Sequence, residues 1–282
     1  MPSASFTSGS VALARPAPDG RRGELRRRIL SAALLAPVAL LAVHFGGIPL
    51  ATLMVAAAGA LGWEWSRLCG FAPPRPLGSI MIALLVATVL AAQVGDAFDA
   101  SAAALVIVAA GMAAASMVWA TASLRWSAVG LLYLGLPCVA LLWLRATGAD
   151  HVFWVLCVTW AADVGAYFTG RAIGGPRLAP AISPNKTWSG FVGGMVAAAV
   201  IGGIFGISLG SQGWATAAAA ALVVALAAVI GDLAESGLKR RFGAKDAGNL
   251  IPGHGGVLDR LDSLLLAAPM AALLLAAGWR WL

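Results

Sequence analysis

The sequence predicts an all-α polytopic integral membrane protein. Three observations carry that prediction: the scarcity of charge, the length of the apolar runs, and the side of those runs on which the basic residues fall. Of the 282 residues, 60% are hydrophobic and 11% charged, and the mean hydropathy is +0.87. A soluble domain carries about 25% charged residues, so this chain cannot cover itself with a water-facing surface. Apolar runs of roughly 18 residues or more recur along it, each long enough to cross a bilayer as a helix. A helix satisfies its own backbone hydrogen bonds in lipid, and the two-residue alternation of a membrane β-barrel is absent.

Nine spans are expected, near residues 29–46, 48–65, 78–95, 102–121, 127–145, 151–170, 189–209, 213–232 and 262–281. They divide the chain into a basic arm (1–28), an amino-terminal group of about five helices (29–145) and a carboxy-terminal group of about four helices with polar loops (146–282). The arm is rich in Ser, Pro, Gly and Arg through about residue 24, a composition that predicts disorder. The apolar run behind it is long and lacks a small-residue cleavage site, so it does not read as a cleavable signal peptide. Starting with the amino terminus in the cytoplasm, nine crossings put every Lys and Arg on the cytoplasmic side except Arg145 and Arg280, as the positive-inside rule requires. The net charge of +7 therefore reports topology and attraction to anionic lipid headgroups; it gives no reason to expect nucleic acid. Cys69, Cys138 and Cys157 have no metal-ligand spacing and read as small apolar residues. No inverted repeat of the transporter kind is visible.

The acidic residues are distributed unevenly. Of twelve, five fall between positions 232 and 262: Asp232, Glu235, Asp246, Asp259 and Asp262. Lys239, Arg240, Arg241, Lys245 and Arg260 interleave with them. Asp232 ends an apolar run and Asp163 lies inside another, where a carboxylate is costly and marks function. Glu64, near the inner end of the second span, reads as a side chain snorkelling to the interface. Pro252, Gly253, Gly255 and Gly256 break any helix around His254 and put it on a loop. The Gly255–Gly256 pair would let backbone approach a phosphate closely. Hard carboxylate oxygens beside a Lys/Arg cluster are what a metal–nucleotide site needs.

A second patch, residues 171–190, follows the span bearing Asp163 and holds Ser183, Pro184, Lys186 and Thr187. Its Gly, Pro and basic residues suit a cytoplasmic loop that touches phosphates. No Walker-type loop or dinucleotide Gly fingerprint is present.

These residues resemble the phosphatidate cytidylyltransferase family. Its carboxy-terminal signature is matched at Ser236, Lys239, Arg240, Lys245, Asp246, Pro252, His254, Gly255, Gly256, Asp259, Arg260 and Asp262. Gly231, Asp232 and Glu235 match its preceding segment, and Asp163, Ala166, Tyr167, Gly170 and Arg171 its sixth span, followed by the Ser-Pro-x-Lys-Thr loop. Asn185 and Ser189 depart from the Lys and Glu common in that loop. The resemblance is close over roughly 127–282; before that it is only a hydrophobic pattern.

The resemblance implies an active site at the cytoplasmic face that converts CTP and phosphatidate into CDP-diacylglycerol and pyrophosphate. The lipid phosphate attacks the α-phosphorus, so no protein nucleophile is needed, and catalysis is alignment and charge neutralisation. It implies one or two Mg²⁺ ions and leaves room for a monovalent cation and for a homodimer. Asp232 and Asp259 are the expected metal ligands, with Asp163, Asp246 and Asp262 as further candidates. Lys239, Arg240, Lys245 and Arg260 are expected on phosphates, His254 on the triphosphate or in proton transfer, and Ser183, Pro184, Lys186, Thr187, Ser236, Gly255 and Gly256 in substrate binding. Richness in Ala, Gly and Arg fits a high-GC bacterium and hence its plasma membrane. Three alternatives remain: a CDP-alcohol phosphatidyltransferase, whose Asp-rich array is missing; a cytidylyltransferase or kinase acting on an isoprenoid lipid; and a secondary transporter using Asp163 and Asp232.

Overall fold

The computed structural model describes residues 18–93, 121–209 and 213–282. Nearly all of the long elements are helices. These are α1 (Pro18–Phe45), α2 (Gly47–Leu68), α3 (Pro76–Ala91), α4 (Ala122–Thr147), α5 (Ala149–Ile173), α6 (Trp188–Ser208), α7 (Trp214–Arg241), the single turn α8 (Leu258–Leu261) and α9 (Leu264–Ala276). Five of them, α2, α4, α5, α6 and α7, are long and apolar enough to cross a membrane, and three shorter apolar helices accompany them: 29–45 of α1, α3 and α9. The predicted fourth span, 102–121, apart from its last residue, and the first part of the arm, 1–17, lie outside the described residues.

The fold is mostly helical, as expected of an all-α membrane protein. One expectation is corrected: α1 begins at Pro18, so residues 18–28 are helical, although their composition suggests a disordered arm. Proline fits a first turn, and the Leu and Arg that follow are good helix formers. One short hairpin accompanies the helices. Strands β1 (Arg177–Ala179) and β2 (Ser183–Thr187) pair antiparallel, with Ala179 opposite Ser183 and Arg177 opposite Thr187. Pro180 leaves a bend between them, and the segment is too short to show a strand period in the sequence.

The core runs through the whole bundle. The closest association is between α5 and α6, and it rests on small residues. Gly190, Gly194, Ala198, Gly202 and Gly206 form a buried stripe at four-residue spacing on α6, so the two backbones can approach as lipid-embedded helices require. At Gly194 a Cβ would stand 2.7 Å from the Ala162 carbonyl oxygen. The indole of Trp154 donates to the Gly202 carbonyl at 2.9 Å across the same seam. Trp65, Trp154 and Trp281 are fully buried, packing residues and not the interfacial anchors that most tryptophans are expected to be; Trp63, Trp160, Trp188, Trp214 and Trp279 are exposed. At the end away from the polar loops, Arg145 donates to the Val43 and His44 carbonyls at 2.5 and 2.8 Å, satisfying the open carboxy-terminal end of α1.

The short connection from α2 to α3 puts Arg67 and Arg75 at one end of the bundle. The start of α4 is at that same end: the Trp65 indole donates to the Trp126 carbonyl, and Trp126 packs on Phe242 behind α7. The hairpin, the 242–257 loop and α8 gather there too, and the chemistry gathers with them.

Candidate active site

Helix α7 is the spine of the site. Asp232, Glu235, Ser236 and Lys239 recur at three- and four-residue spacing and so share one stripe. Asp232 lies nine residues before the end of α7, roughly 14 Å along its axis. The stripe can meet the chain entering α9 because position 231 is glycine: a Cβ there would be 2.7 Å from the Asp262 carbonyl oxygen. The Tyr133 hydroxyl donates to the Gly231 carbonyl at 3.1 Å and ties α4 to the same point.

Around Asp232 the arrangement is open. Lys186, from β2, donates to Asp232 Oδ2 at 2.5 Å, and Ser236 Oγ donates to Oδ1 at 3.4 Å. The Lys186 and Asp232 side chains keep 27% and 23% of their surface exposed, so a ligand can reach both. Asp163 from α5 and Asp262 face Asp232 across the site, and Lys186 also lies within electrostatic reach of Asp163. Ser263 donates its backbone N–H to Asp262 Oδ1 at 2.7 Å, and its hydroxyl reaches the same oxygen at 3.5 Å. Three carboxylates from three parts of the chain thus lie within reach of one another, with the Lys186 ammonium on Asp232 and near Asp163, and Lys239 within reach of Asp262.

Around Asp259 the arrangement is closed. Lys239 Nζ donates to Oδ1 at 2.7 Å, the Ala247 N–H reaches both oxygens at 3.1 and 3.0 Å, and the Gly256 N–H reaches Oδ2 at 2.9 Å. Partial burial opposes ionisation, but the Lys239 ammonium and these N–H groups outweigh it and hold the carboxyl below its ordinary range. Lys239 is also 2.5 Å from Glu235, whose side chain is wholly buried; the Glu235 oxygens make no hydrogen bond of good geometry, so that attraction is an ion pair alone.

His254 sits at the tip of the loop. Ile251 and Gly255 bridge through an N–H···O bond of 2.9 Å, and Gly253 and Gly255 hold φ of +79° and +83°, which favour glycine. Ser31, on α1, donates to the Pro252 carbonyl at 3.1 Å and lies 2.7 Å from His254 Nδ1. Both contacts are satisfied when Nδ1–H donates to Ser31, which leaves Nε2 as the ring's acceptor.

The hairpin separates its residues. Lys186 reaches the carboxylates, and Ser183 and Pro184 lie on the strand before it. Thr187 is buried, and its hydroxyl accepts the Gly190 N–H at 3.1 Å. It is the N-cap of α6, a structural role not expected from the sequence, where Thr187 reads as a substrate contact. One of the two departures has a structural reason: Ser189 donates to the Gly174 carbonyl at 2.5 Å. Nothing in the structure explains Asn185, whose contact with Arg177 at 3.3 Å is through its backbone carbonyl.

The predicted pairing of Asp232 with Asp259 is not what the structure assembles. Asp259 is taken up by Lys239 and main-chain N–H groups, and Lys239, expected on a phosphate, is taken up by Asp259 and Glu235. Asp163 and Asp262 are the carboxylates that face Asp232. Arg240, Lys245, Asp246 and Arg260 are exposed. Glu64 does not snorkel: it is 1% exposed and accepts the Val257 and Leu258 N–H groups at 3.0 and 2.8 Å. Sequence reasoning missed it, although a lone carboxylate inside an apolar helix was the signal. Ser263, Ser31 and Tyr133 were also not expected as part of the site.

No three His, Cys, Asp or Glu side chains among the described residues are drawn into a coordination shell. Mg²⁺ does not need one; it is commonly held by one or two carboxylates, water and substrate phosphates. The hard-oxygen donor set of Asp163, Asp232 and Asp262 fits that ion.

Residues 26–277 match the sequence model of the cytidylyltransferase family. A phosphatidate cytidylyltransferase of Brucella suis biovar 1 is 38% identical over 257 residues, covering 87% of this chain and 91% of its own. One of Pseudomonas aeruginosa is 38% identical over 281 residues, with 90% and 98% covered. One of Helicobacter pylori reaches 49% identity over 121 residues, 43% of this chain and 45% of its own.

Proposed function

The chain belongs to the cytidylyltransferase family, and we propose that it is a phosphatidate cytidylyltransferase, joining CTP to phosphatidate to give CDP-diacylglycerol and pyrophosphate. The observation that carries this reading is the open cluster of Asp163, Asp232 and Asp262 with Lys186 lying on Asp232, beside a glycine loop that presents His254. Full-length similarity to the Brucella and Pseudomonas enzymes supports the choice of substrates.

A phosphate oxygen of phosphatidate forms the new bond to the α-phosphorus of CTP while the bond to the β-phosphate oxygen breaks. The substrate supplies the nucleophile, so the protein's task is to hold two polyanions in line. Asp232, with Asp163 and Asp262, would hold Mg²⁺, which would supply neutralisation of phosphate charge. Asp259 remains a weaker candidate ligand, because using it would mean displacing its N–H and ammonium partners. Lys186 already lies on Asp232; transferring to the incoming phosphates would free the carboxylate. Arg240, Lys245 and Arg260, being exposed, are available to the triphosphate and to the lipid headgroup. His254 Nε2 faces substrate as an acceptor, or as a donor when the ring is protonated.

The nine-span topology with a cytoplasmic amino terminus belongs to this proposal. It is supported by the placement of α3 and α4, both of which start at the site end. The site then faces the cytoplasm, in a bacterial plasma membrane, where CTP is. The test is pyrophosphate release from CTP by detergent-purified protein, with phosphatidate and Mg²⁺ added together or singly. Release that needs both is expected. A folded protein that releases none with both saturating would contradict the proposal, and isoprenoid phosphates would be tried next.

A further inference from the structure

Glu64 belongs to the amino-terminal half, which the sequence treats as little more than hydrophobic scaffolding, yet it is wired into the glycine loop. Its carboxylate is buried near the end of α2 and accepts two successive N–H groups, one on each oxygen: Val257 on Oε1 at 3.0 Å and Leu258 on Oε2 at 2.8 Å. The glycines at the two ends of the loop close on the same group. A Cβ at Gly248 would stand 2.5 Å from Oε1, and one at Gly256 would stand 2.7 Å from both oxygens. On its other side the loop is gripped by Asp259 through the Ala247 and Gly256 N–H groups. Both ends of the segment that carries His254 are therefore clamped between two carboxylates, one local and one supplied by α2.

We propose that Glu64 is a positioning residue for this reaction, fixing the 248–256 loop so that His254, Gly255 and Gly256 meet the nucleotide. It touches no substrate and acts through the loop backbone. A carboxylate is suited to the place because it offers two acceptors to two parallel N–H groups, and charged acceptors make the stronger bonds. Glutamine offers one carbonyl oxygen and sets an N–H₂ against the second N–H; alanine offers nothing.

The inference rests on the proposed activity for its kinetic arm and is independent of it for its structural arm. Hydrogen exchange of the peptide containing Val257 and Leu258 would be followed in detergent for wild type, Glu64→Gln, Glu64→Ala and Gly256→Ala. KM for CTP and for phosphatidate would be measured alongside. Glu64→Ala is expected to speed exchange there tenfold or more and to raise KM for CTP at least tenfold, leaving KM for phosphatidate within twofold. Glu64→Gln should fall between it and wild type. Gly256→Ala strikes the same contact from the loop side, and adding Glu64→Ala to it should cost less than the two single effects combined. Leu61→Ala, a core truncation on the same helix, should lower the melting temperature without changing KM, which separates positioning from general stability. Unchanged exchange and KM in Glu64→Ala would overturn the proposal, as would a Leu61→Ala variant that shifts KM equally. Should wild type make no CDP-diacylglycerol, the activity proposal fails, while the exchange comparison still decides whether Glu64 holds the loop.

Discussion

One helical turn of α7 separates two carboxylate clusters built in opposite ways. At Glu235, Lys239 and Asp259 one buried ammonium lies between two carboxylates: the Lys239 and Asp259 side chains are 12% and 6% exposed, and the Asp259 oxygens are filled with N–H groups. At Asp163, Asp232 and Asp262 the carboxylates lie within electrostatic reach of one another, and the partly exposed Lys186 lies on Asp232. In the first arrangement Asp259 has its partners without a ligand and folds the loop. The second has an excess of negative charge that a cation or a cation–phosphate complex would relieve. Both clusters hold residues of the same signature, so a matching motif does not separate those that bind from those that build.

The largest effect that would sharpen this contrast is expected at Asp232. Asp232→Asn should lower turnover on the order of 10³-fold, the size seen when electrostatic stabilisation is removed from an active site. Its melting temperature should stay near wild type. In the closed cluster the order reverses. Lys239→Met leaves two buried carboxylates without their cation and should cost about 3 to 5 kcal/mol of stability, read as a large drop in melting temperature with or without substrates. Lys186→Met should weaken turnover while raising Mn²⁺ affinity in the absence of nucleotide about tenfold, equivalent to roughly 1.4 kcal/mol; unchanged affinity would mean that Lys186 does not compete for Asp232. Thr187→Ala should cost about 1 kcal/mol through the lost α6 cap, with KM for CTP unchanged, whereas a rise in KM would return Thr187 to substrate binding. The smallest effect concerns acid. Because the folded-state pKa of Asp259 is depressed, its contribution is fully present above the unfolded value of about 3.9 and disappears as pH falls through the lower folded value. Asp259→Asn should therefore flatten the acid limb of the stability profile below about pH 4, measured without divalent ions.

Much of the bundle was legible because bilayer thickness fixes helix length and lipid excludes charge. The helices at 48–65, 127–145, 151–170, 189–209 and 213–232 stand out for that reason alone. Hairpin β1–β2 was not legible: eight strand residues, with Pro180 in the turn and Pro184 within β2, leave no period to detect. In the site, Asp163 and Asp232 announced themselves as carboxylates in apolar runs. The same logic applied to Glu64, but its partners are backbone N–H groups about 190 positions away, and backbone donors leave no mark on a sequence. The reassignment of Asp259 has a similar cause. A carboxylate bound to metal and one bound to Lys and N–H groups occupy the same spacing, and only the folded loop separates them. Thr187 shows the local version, since a Thr before an apolar run is also an N-cap signal.

The most direct test of the account is Mn²⁺ binding, followed by electron paramagnetic resonance, in Asp232→Asn and Asp259→Asn side by side with CTP present. The account predicts that Asp232→Asn loses the bound-ion signal while Asp259→Asn, wherever it remains folded, keeps it. A folded Asp259→Asn without the signal, beside an Asp232→Asn that retains it, would contradict the assignment of the open cluster as the ion site.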